Sequence, residues 1–378
     1  MPPAELRLLP VQSQSDLREF ITLPYSLYRQ DKHWVPPLRF ERRDLIDPKK
    51  NPFFKHGRAR LFLAKRGAET VGRISAQINE AYARQHGEAV GHFGFFESEN
   101  EPETAQVLWE GARDFFRKAG IAKVQGPFNY SINEESGLLV EGFEEPQVLM
   151  SPYNPPYYAD LLAGLGFQKV MDLYAWRYRE DLMTPEPAEI AAEILKDPKV
   201  KIVAFRKNRL EQDFEILVDI FNSAWRQNWG FIPFSPAESR RMAHELKIIL
   251  DPDLAFRVEV AGKPAGVCLA VPNVYDILQG LNGRLFPLGW SKFLWRLKTR
   301  RIRSVRLMIL GVKEEYRTYA LGGLSTLLMS QCAKRAFQKG YFWGELSWTL
   351  ENNDRINQAI TFMGGQKYKT FRIYEKMI

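Results

Sequence analysis

Residues 304–323 read SVRLMILGVKEEYRTYALGG, and the fold turns on this stretch. Ser304–Val312 is an apolar run of strand length, and the apolar spacing that follows predicts a helix over residues 322–339. Gly340 lies just past that run, placed to close the helix in a left-handed conformation. Between strand and helix stand Arg317 and the small residues Ala320, Gly322 and Gly323. Such a junction aims backbone N–H groups and the positive end of a helix at one spot, and small side chains let an anion approach it. The chemistry it suits is the cradling of a phosphate.

Upstream, residues 199–207 alternate charged and apolar side chains as a strand does. Phe214, Leu217, Val218, Phe221 and Trp225 then fall three and four apart, on one face of a helix over residues 210–228. A second helix is expected over 237–250, with Ser235 as N-cap and Pro236 in its first turn. Two valine- and alanine-rich runs around Gly262-Lys263 read as a hairpin. Downstream, FWGELSWTL is a strand, residues 353–364 a helix and QKYKTFRIYEKMI the closing strand. The order β-α-α-β-β-β-α-β-α-β predicts an α/β fold whose mixed sheet is mostly antiparallel, ends in parallel strands and carries helices on both faces.

The first half repeats this order. A strand (ELRLLPV), a helix, a Pro- and Arg-rich segment, a hairpin, a strand, a helix over 103–119 ended by Gly120, another strand, a helix and a closing strand follow in turn. Asn154, Gly166, Gln168 and Lys169 match Asn352, Gly364, Gln366 and Lys367 at one constant offset, which sets the two closing helix–strand units in register. Two domains are expected, residues 1–180 and 199–378, joined by a Pro/Glu/Ala-rich linker over 181–198.

The strand order and the run Arg317-x-x-Ala320-x-Gly322 resemble the GNAT-type acyl-CoA N-acyltransferase superfamily, whose signature there is Gln/Arg-x-x-Gly-x-Gly/Ala. The likeness covers residues 199–378, and Ala320 stands where the signature has its middle glycine. The first half resembles the same fold without the signature, so the chain looks like a tandem of two GNAT-like domains. Mycothiol synthases, N-myristoyltransferases and Fem-type aminoacyltransferases are similar tandems. The resemblance implies acetyl-CoA or another acyl-CoA as cosubstrate, with Gly311, Val312 and Lys313 facing the thioester. It likewise implies that Arg317, Thr318, Ala320, Leu321, Gly322 and Gly323 hold the pyrophosphate. In the first copy the equivalent loop is Glu97-Ser98-Glu99-Asn100-Glu101-Pro102-Glu103, whose carboxylates repel a pyrophosphate, so that copy is expected to be degenerate.

Direct transfer from a thioester to an amine needs a base for the amine, donors for the carbonyl oxygen and a proton for the thiolate. Glu345 and Glu351 bracket the strand GELSWTLE and are the candidate bases; Glu345, Ser347 and Thr349 share one face by alternation. The last helix has no tyrosine to act as the acid. Trp225, Asn228 and Trp229 are the candidate acceptor-binding residues, aromatics flanking an amide.

The formal charge of +8 is unevenly spread: residues 1–180 carry net −1, residues 181–378 net +9, and residues 284–306 alone hold eight cations and no acid. One basic segment on an otherwise neutral chain argues against a nucleic-acid binder. That segment lies in an insertion over 273–303, where tryptophan, leucine and phenylalanine interleave with lysine and arginine, the composition of a peripheral membrane helix or an acyl-carrier contact. The bland alternative is an amphipathic cover helix. Two cysteines outside any ligand spacing and scattered histidines give no metal site. No run is long enough to span a bilayer and no leader peptide opens the chain, so a cytoplasmic enzyme is expected. The expected activity is an N-acyltransferase acting on a small-molecule or lipid-like amine. A Fem-type aminoacyltransferase and a non-catalytic ligand-binding or scaffold module are the alternatives.

Overall fold

The computed structural model describes residues 5–285, 289–299 and 302–378. Its compact units are not the two chain halves. Unit 1 comprises Met1–Leu173, Leu278–Ser291 and Lys369–Ile378; unit 2 comprises Tyr174–Ile277 and Lys292–Tyr368.

Unit 1 runs β1 (Leu6–Pro10), α1 (Gln14–Leu27), α2 (Arg39–Ile46), β2 (Gly57–Arg66), β3 (Glu69–Asn79), α3 (Glu80–His86), β4 (Val90–Ser98), α4 (Pro102–Lys118), β5 (Lys123–Gly126), β6 (Leu138–Glu141) and α5 (Tyr158–Gly164), then enters β7 (Gln168–Arg179). Strands β1 to β4 pair antiparallel in sequence, and β4 pairs parallel with β5. The last residues of the chain close this sheet, with Tyr374 opposite Gly126 and Met377 opposite Lys123. Helix α4 buries Ala105, Leu108, Trp109, Ala112 and Phe116 against the sheet, positions spaced three and four apart as burial on one helix face requires.

Unit 2 continues with α6 (Glu186–Ile194), β8 (Val200–Ala204), α7 (Leu210–Ala224), α8 (Pro236–Leu246), β9 (Ala255–Val260), β10 (Lys263–Pro272), α9 (Tyr275–Leu278), α10 (Gly289–Lys298), β11 (Ser304–Val312), α11 (Leu324–Gln338), β12 (Trp343–Leu350), α12 (Asp354–Phe362) and β13 (Gln366–Met377). This is the expected element order. Strands β8 to β11 pair antiparallel, and β11 with β12 parallel. Residues 174–179 of β7 lie beside β12. Helix α8 starts in a reciprocal cap: Ser235 Oγ accepts from the Glu238 N–H while Glu238 accepts from the Ser235 N–H. Helix α11 ends at Gly340, whose N–H donates to the Phe337 carbonyl, as the sequence expects. It buries Leu324, Leu327, Leu328 and Cys332 against β10 and β11, each fully buried aliphatic contributing roughly 1.5–3 kcal/mol. The stretch expected as a linker holds α6, whose Ala191 and Ile194 join that same core.

The offset between the copies is visible in the closing strands. β7 and β13 have equal length, and exposed and buried positions alternate identically over their first ten residues.

Candidate active site

The site in unit 2 begins with a separation of strands. β11 and β12 are paired from Ser304↔Trp343 to Leu307↔Leu346, yet β11 runs on to Val312 and β12 to Leu350. β11 stays paired with β10 as far as Val312↔Gly266, so it is β12 that leaves. The wedge between them opens into a cleft of about 690 Å³ bounded by Leu310–Val312 on one side and Trp348–Leu350 on the other. The end of α7 roofs it. A Cβ on Gly311 would lie 3.1 Å from Ala224 Cβ and 3.5 Å from Trp225 Nε1, so glycine is what lets α7 approach the strand.

At the mouth, the loop after β11 turns left-handed at Ala320 (φ 49°), Leu321 (φ 55°) and Gly322 (φ 84°), then right-handed at Gly323 (φ −74°). Left-handed conformations at Ala320 and Leu321 are uncommon for residues with a Cβ and cost on the order of 1–3 kcal/mol each. The return is a concave run of backbone N–H groups leading into α11, whose N-terminus has no side-chain cap. Arg317 lines the cleft and donates from Nη2 to the Ala224 carbonyl at 2.6 Å. Arg355, from the first turn of α12, donates to the Arg317 carbonyl at 3.2 Å and lines the cleft as well. Two guanidiniums and an uncapped helix start therefore surround one opening, an arrangement that fits a pyrophosphate.

The expected residues fall into groups. Gly311, Val312, Arg317, Leu321 and Gly322 line the cleft, as do Trp225, Asn228 and Trp229. The Trp225 ring meets Trp348 edge-on at 6.0 Å between centroids. Lys313 is drawn away, ion-paired to Asp219 at 2.6 Å. Thr318, Ala320 and Gly323 shape the loop and are not among the lining residues. Neither candidate base lines the cleft. Glu345 is fully buried beside a separate apolar cavity of about 40 Å³, accepting from Ser347 Oγ and the Tyr368 hydroxyl, with Arg306 Nε 3.7 Å away. Burial, and then the Glu345 charge, hold the Tyr368 phenol well above its usual range. Glu351 is half-buried in the turn between Leu350 and Asn352, both of which line the cleft. Arg355 is the residue the sequence reading missed; on α12 it looks like any solvated helix arginine.

Two relatives match the chain over nearly its whole length. The chain is 38% identical over 377 residues to the bacterial ceramide synthase of Caulobacter vibrioides, covering 99% of this chain and 98% of the other. It is 36% identical over 369 residues to protein YghO of Escherichia coli, covering 97% and 94%. The chain belongs to their family. No protein-family model matches the chain. Among solved structures, the tandem GNAT protein of the clavulanic acid biosynthesis pathway aligns with 99% of this chain and 98% of its own, with TM-score 0.57 at 12% identity. A GCN5-related N-acetyltransferase from Sphaerobacter thermophilus gives TM-score 0.51 at 11% identity, covering 98% of this chain and 95% of its own. These likenesses show the fold: this ceramide-synthase relative has a tandem GNAT-type fold. Among its described residues no group of His, Cys, Asp and Glu is arranged to hold a metal ion, and no helix is long and apolar enough to cross a membrane.

Proposed function

We propose that this member of the family is an acyl-CoA-dependent N-acyltransferase that joins a fatty acyl group to the amine of a long-chain amino alcohol, giving a ceramide-type amide. The observation that carries the acyl-CoA part is the wedge between β11 and β12, which leads straight to the left-handed loop and the uncapped start of α11. A pantetheine arm would lie along β11 in that wedge, with its pyrophosphate against Arg317, Arg355 and the loop amides. The acceptor class is taken from the 38% identical relative and fits a cleft whose α7 side is walled by Trp225 and Trp229 around Asn228.

The amine nitrogen attacks the thioester carbonyl carbon, a C–N bond forms, the C–S bond breaks, and the amine's proton ends on the coenzyme thiolate. We assign proton acceptance to Glu351 acting through water, because it sits between two cleft-lining residues. Glu345 keeps β12 in place through Ser347, Tyr368 and Arg306 and is a positioning residue. Backbone N–H groups near Gly311 are the donors for the carbonyl oxygen.

Incubation of the purified protein with palmitoyl-CoA and sphinganine tests the proposal, read as free thiol released and as product mass. The expected result is one thiol per N-acyl product. Thiol release only with acetyl-CoA and short amines would reject the ceramide-type reaction while leaving acyl transfer intact.

A further inference from the structure

We infer that unit 2 docks on the surface of an anionic lipid bilayer through the outer face of α10 and the adjoining Arg303–Phe342 corner. Adjacent antiparallel strands need only a short turn, yet β10 and β11 are separated by a long insertion that contains α10.

The insertion is anchored at its base. The Asp276 carboxylate accepts from the Arg303 N–H at 2.9 Å, the Ser304 N–H at 3.1 Å and the Ser304 hydroxyl at 3.0 Å. Asn273 Nδ2 donates to Asp276 and to Ser304 Oγ, both at 3.1 Å. On α10 itself Phe293 is buried, and Arg296 Nη1 donates to the Ile277 carbonyl at 2.6 Å. The inner face of the helix is thus turned into the fold, with Arg296 held on the Ile277 carbonyl of unit 2.

The outer face is different. Leu294 is 43% exposed and Trp295 52%, with exposed Lys292 and Lys298 on either side. Positions 294, 295 and 298 lie three and four apart, on one helix face. Trp290, the other tryptophan of α10, is half-buried. At the far end of the insertion the exposed Arg303 accepts through its carbonyl from the Phe342 N–H at 2.8 Å, and Phe342 is 67% exposed. Arg300 and Arg301 of the same basic run lie outside the described residues.

Exposed tryptophan, leucine and phenylalanine beside lysines and an arginine suit the headgroup region of a bilayer. The rings reach the headgroup–acyl boundary while the cations meet lipid phosphates. Arg296 and Arg306 of the basic run are turned into the fold, but Lys292, Lys298 and Arg303 are exposed with no acid in the run to offset them, which favours a negatively charged surface. An acidic carrier protein would satisfy the charge, but long-chain amino alcohols reside in membranes, which favours lipid. That preference alone rests on the proposed function.

Vesicle flotation in the absence of substrate tests the docking, so its outcome does not depend on whether ceramide-type activity is found. The vesicles are pure phosphatidylcholine or phosphatidylcholine mixed with phosphatidylglycerol. The protein should float with the anionic vesicles at low salt and about tenfold less at high salt. Leu294→Ser with Trp295→Ser should reduce the floated fraction about tenfold, through lost apolar burial. Lys292→Ser with Lys298→Ser should reduce it severalfold on anionic vesicles alone, at an unchanged melting temperature. No flotation at low salt, or equal flotation of all three proteins, overturns the inference. So does capture of an acidic acyl carrier protein that both variants lose while vesicles recover nothing.

Discussion

The same place in the two units has opposite fates. In unit 2 the strands β11 and β12 part after Leu307↔Leu346 and leave a cleft of about 690 Å³. In unit 1 the parallel pair β4 and β5 parts after His92↔Gln125, but the chain plugs most of its own gap, leaving a cavity of about 90 Å³ beside Phe95, Glu97, Pro127 and Asn129. The Phe128 N–H donates to the Phe93 carbonyl at 2.7 Å, and Asn129 Oδ1 accepts from the Phe95 N–H at 2.8 Å. Further along β4, the Tyr158 hydroxyl accepts from the Ser98 N–H at 2.9 Å. Neither helix start has a side-chain cap, but α4 begins with Pro102 and has Glu99 and Glu103 around its first turn, both paired with Arg66, whereas α11 has no acid there. One topology therefore yields an open cleft or a plugged wedge according to what occupies the gap. The acidic loop predicted to repel a pyrophosphate is largely consumed within unit 1. Glu97, for example, is buried against Arg73, Tyr28 and Tyr158. On the proposed function, unit 1 is kept from binding coenzyme as much by the plug as by charge.

The largest expected effect tests the open wedge. Gly322→Asp should weaken CoA binding by about a hundredfold or more, since it adds a carboxylate at the proposed pyrophosphate site and a Cβ 3.1 Å from Arg355 Nη2 at a φ of +84°. Glu101→Gln, at the counterpart loop of unit 1, should leave binding unchanged. Calorimetry on both variants reads the difference. The plugged wedge is tested by Gly94→Ala, whose Cβ would lie 1.8 Å from the Phe128 carbonyl oxygen. That should cost about 3 kcal/mol in urea unfolding, with CoA affinity preserved in the protein that stays folded.

The two strand-end carboxylates sharpen the contrast between chemistry and scaffold. Glu351→Gln should lower kcat about a hundredfold at unchanged stability. Glu345→Gln should cost about 3 kcal/mol of stability by leaving buried Arg306 short of its partner, with the Km for acyl-CoA retained. Equal kcat losses in the two variants would remove the distinction. Arg355→Ala should weaken CoA binding about tenfold, by taking one cation from the pyrophosphate mouth.

A pH-dependent effect belongs to the plugged side. His92, where β4 and β5 part, is buried, and burial, with the His86 charge adding to it, lowers its pKa from 6.5 to about 3. In the unfolded chain it takes up a proton near its ordinary value, so stability held above that pH is lost as pH falls toward the folded value. The acid side of the stability profile should therefore flatten in His92→Phe, as measured by urea midpoints across that range.

Much of this was legible in residue order. The hairpin around Gly262, the capped start of α8, the close of α11 at Gly340 and the register of the two closing strands follow from local signals that tertiary packing did not override. The loop from Arg317 to Gly323 was readable because strand, cation and glycines are contiguous. What could not be read were contacts between residues far apart in sequence. Asn129 reaching β4, Arg355 reaching the Arg317 carbonyl, and β7 and β13 each divided between units are all set by tertiary packing. Alternation placed Glu345 and Ser347 on one face, as their hydrogen bond confirms, but it cannot say whether that face meets a cleft or a core.

Titration calorimetry of the wild-type chain with CoA is the most direct measurement of one open and one plugged wedge. The expected result is a single site per chain, abolished by Gly322→Asp. Two sites per chain, or one site that persists undiminished in Gly322→Asp, would contradict it.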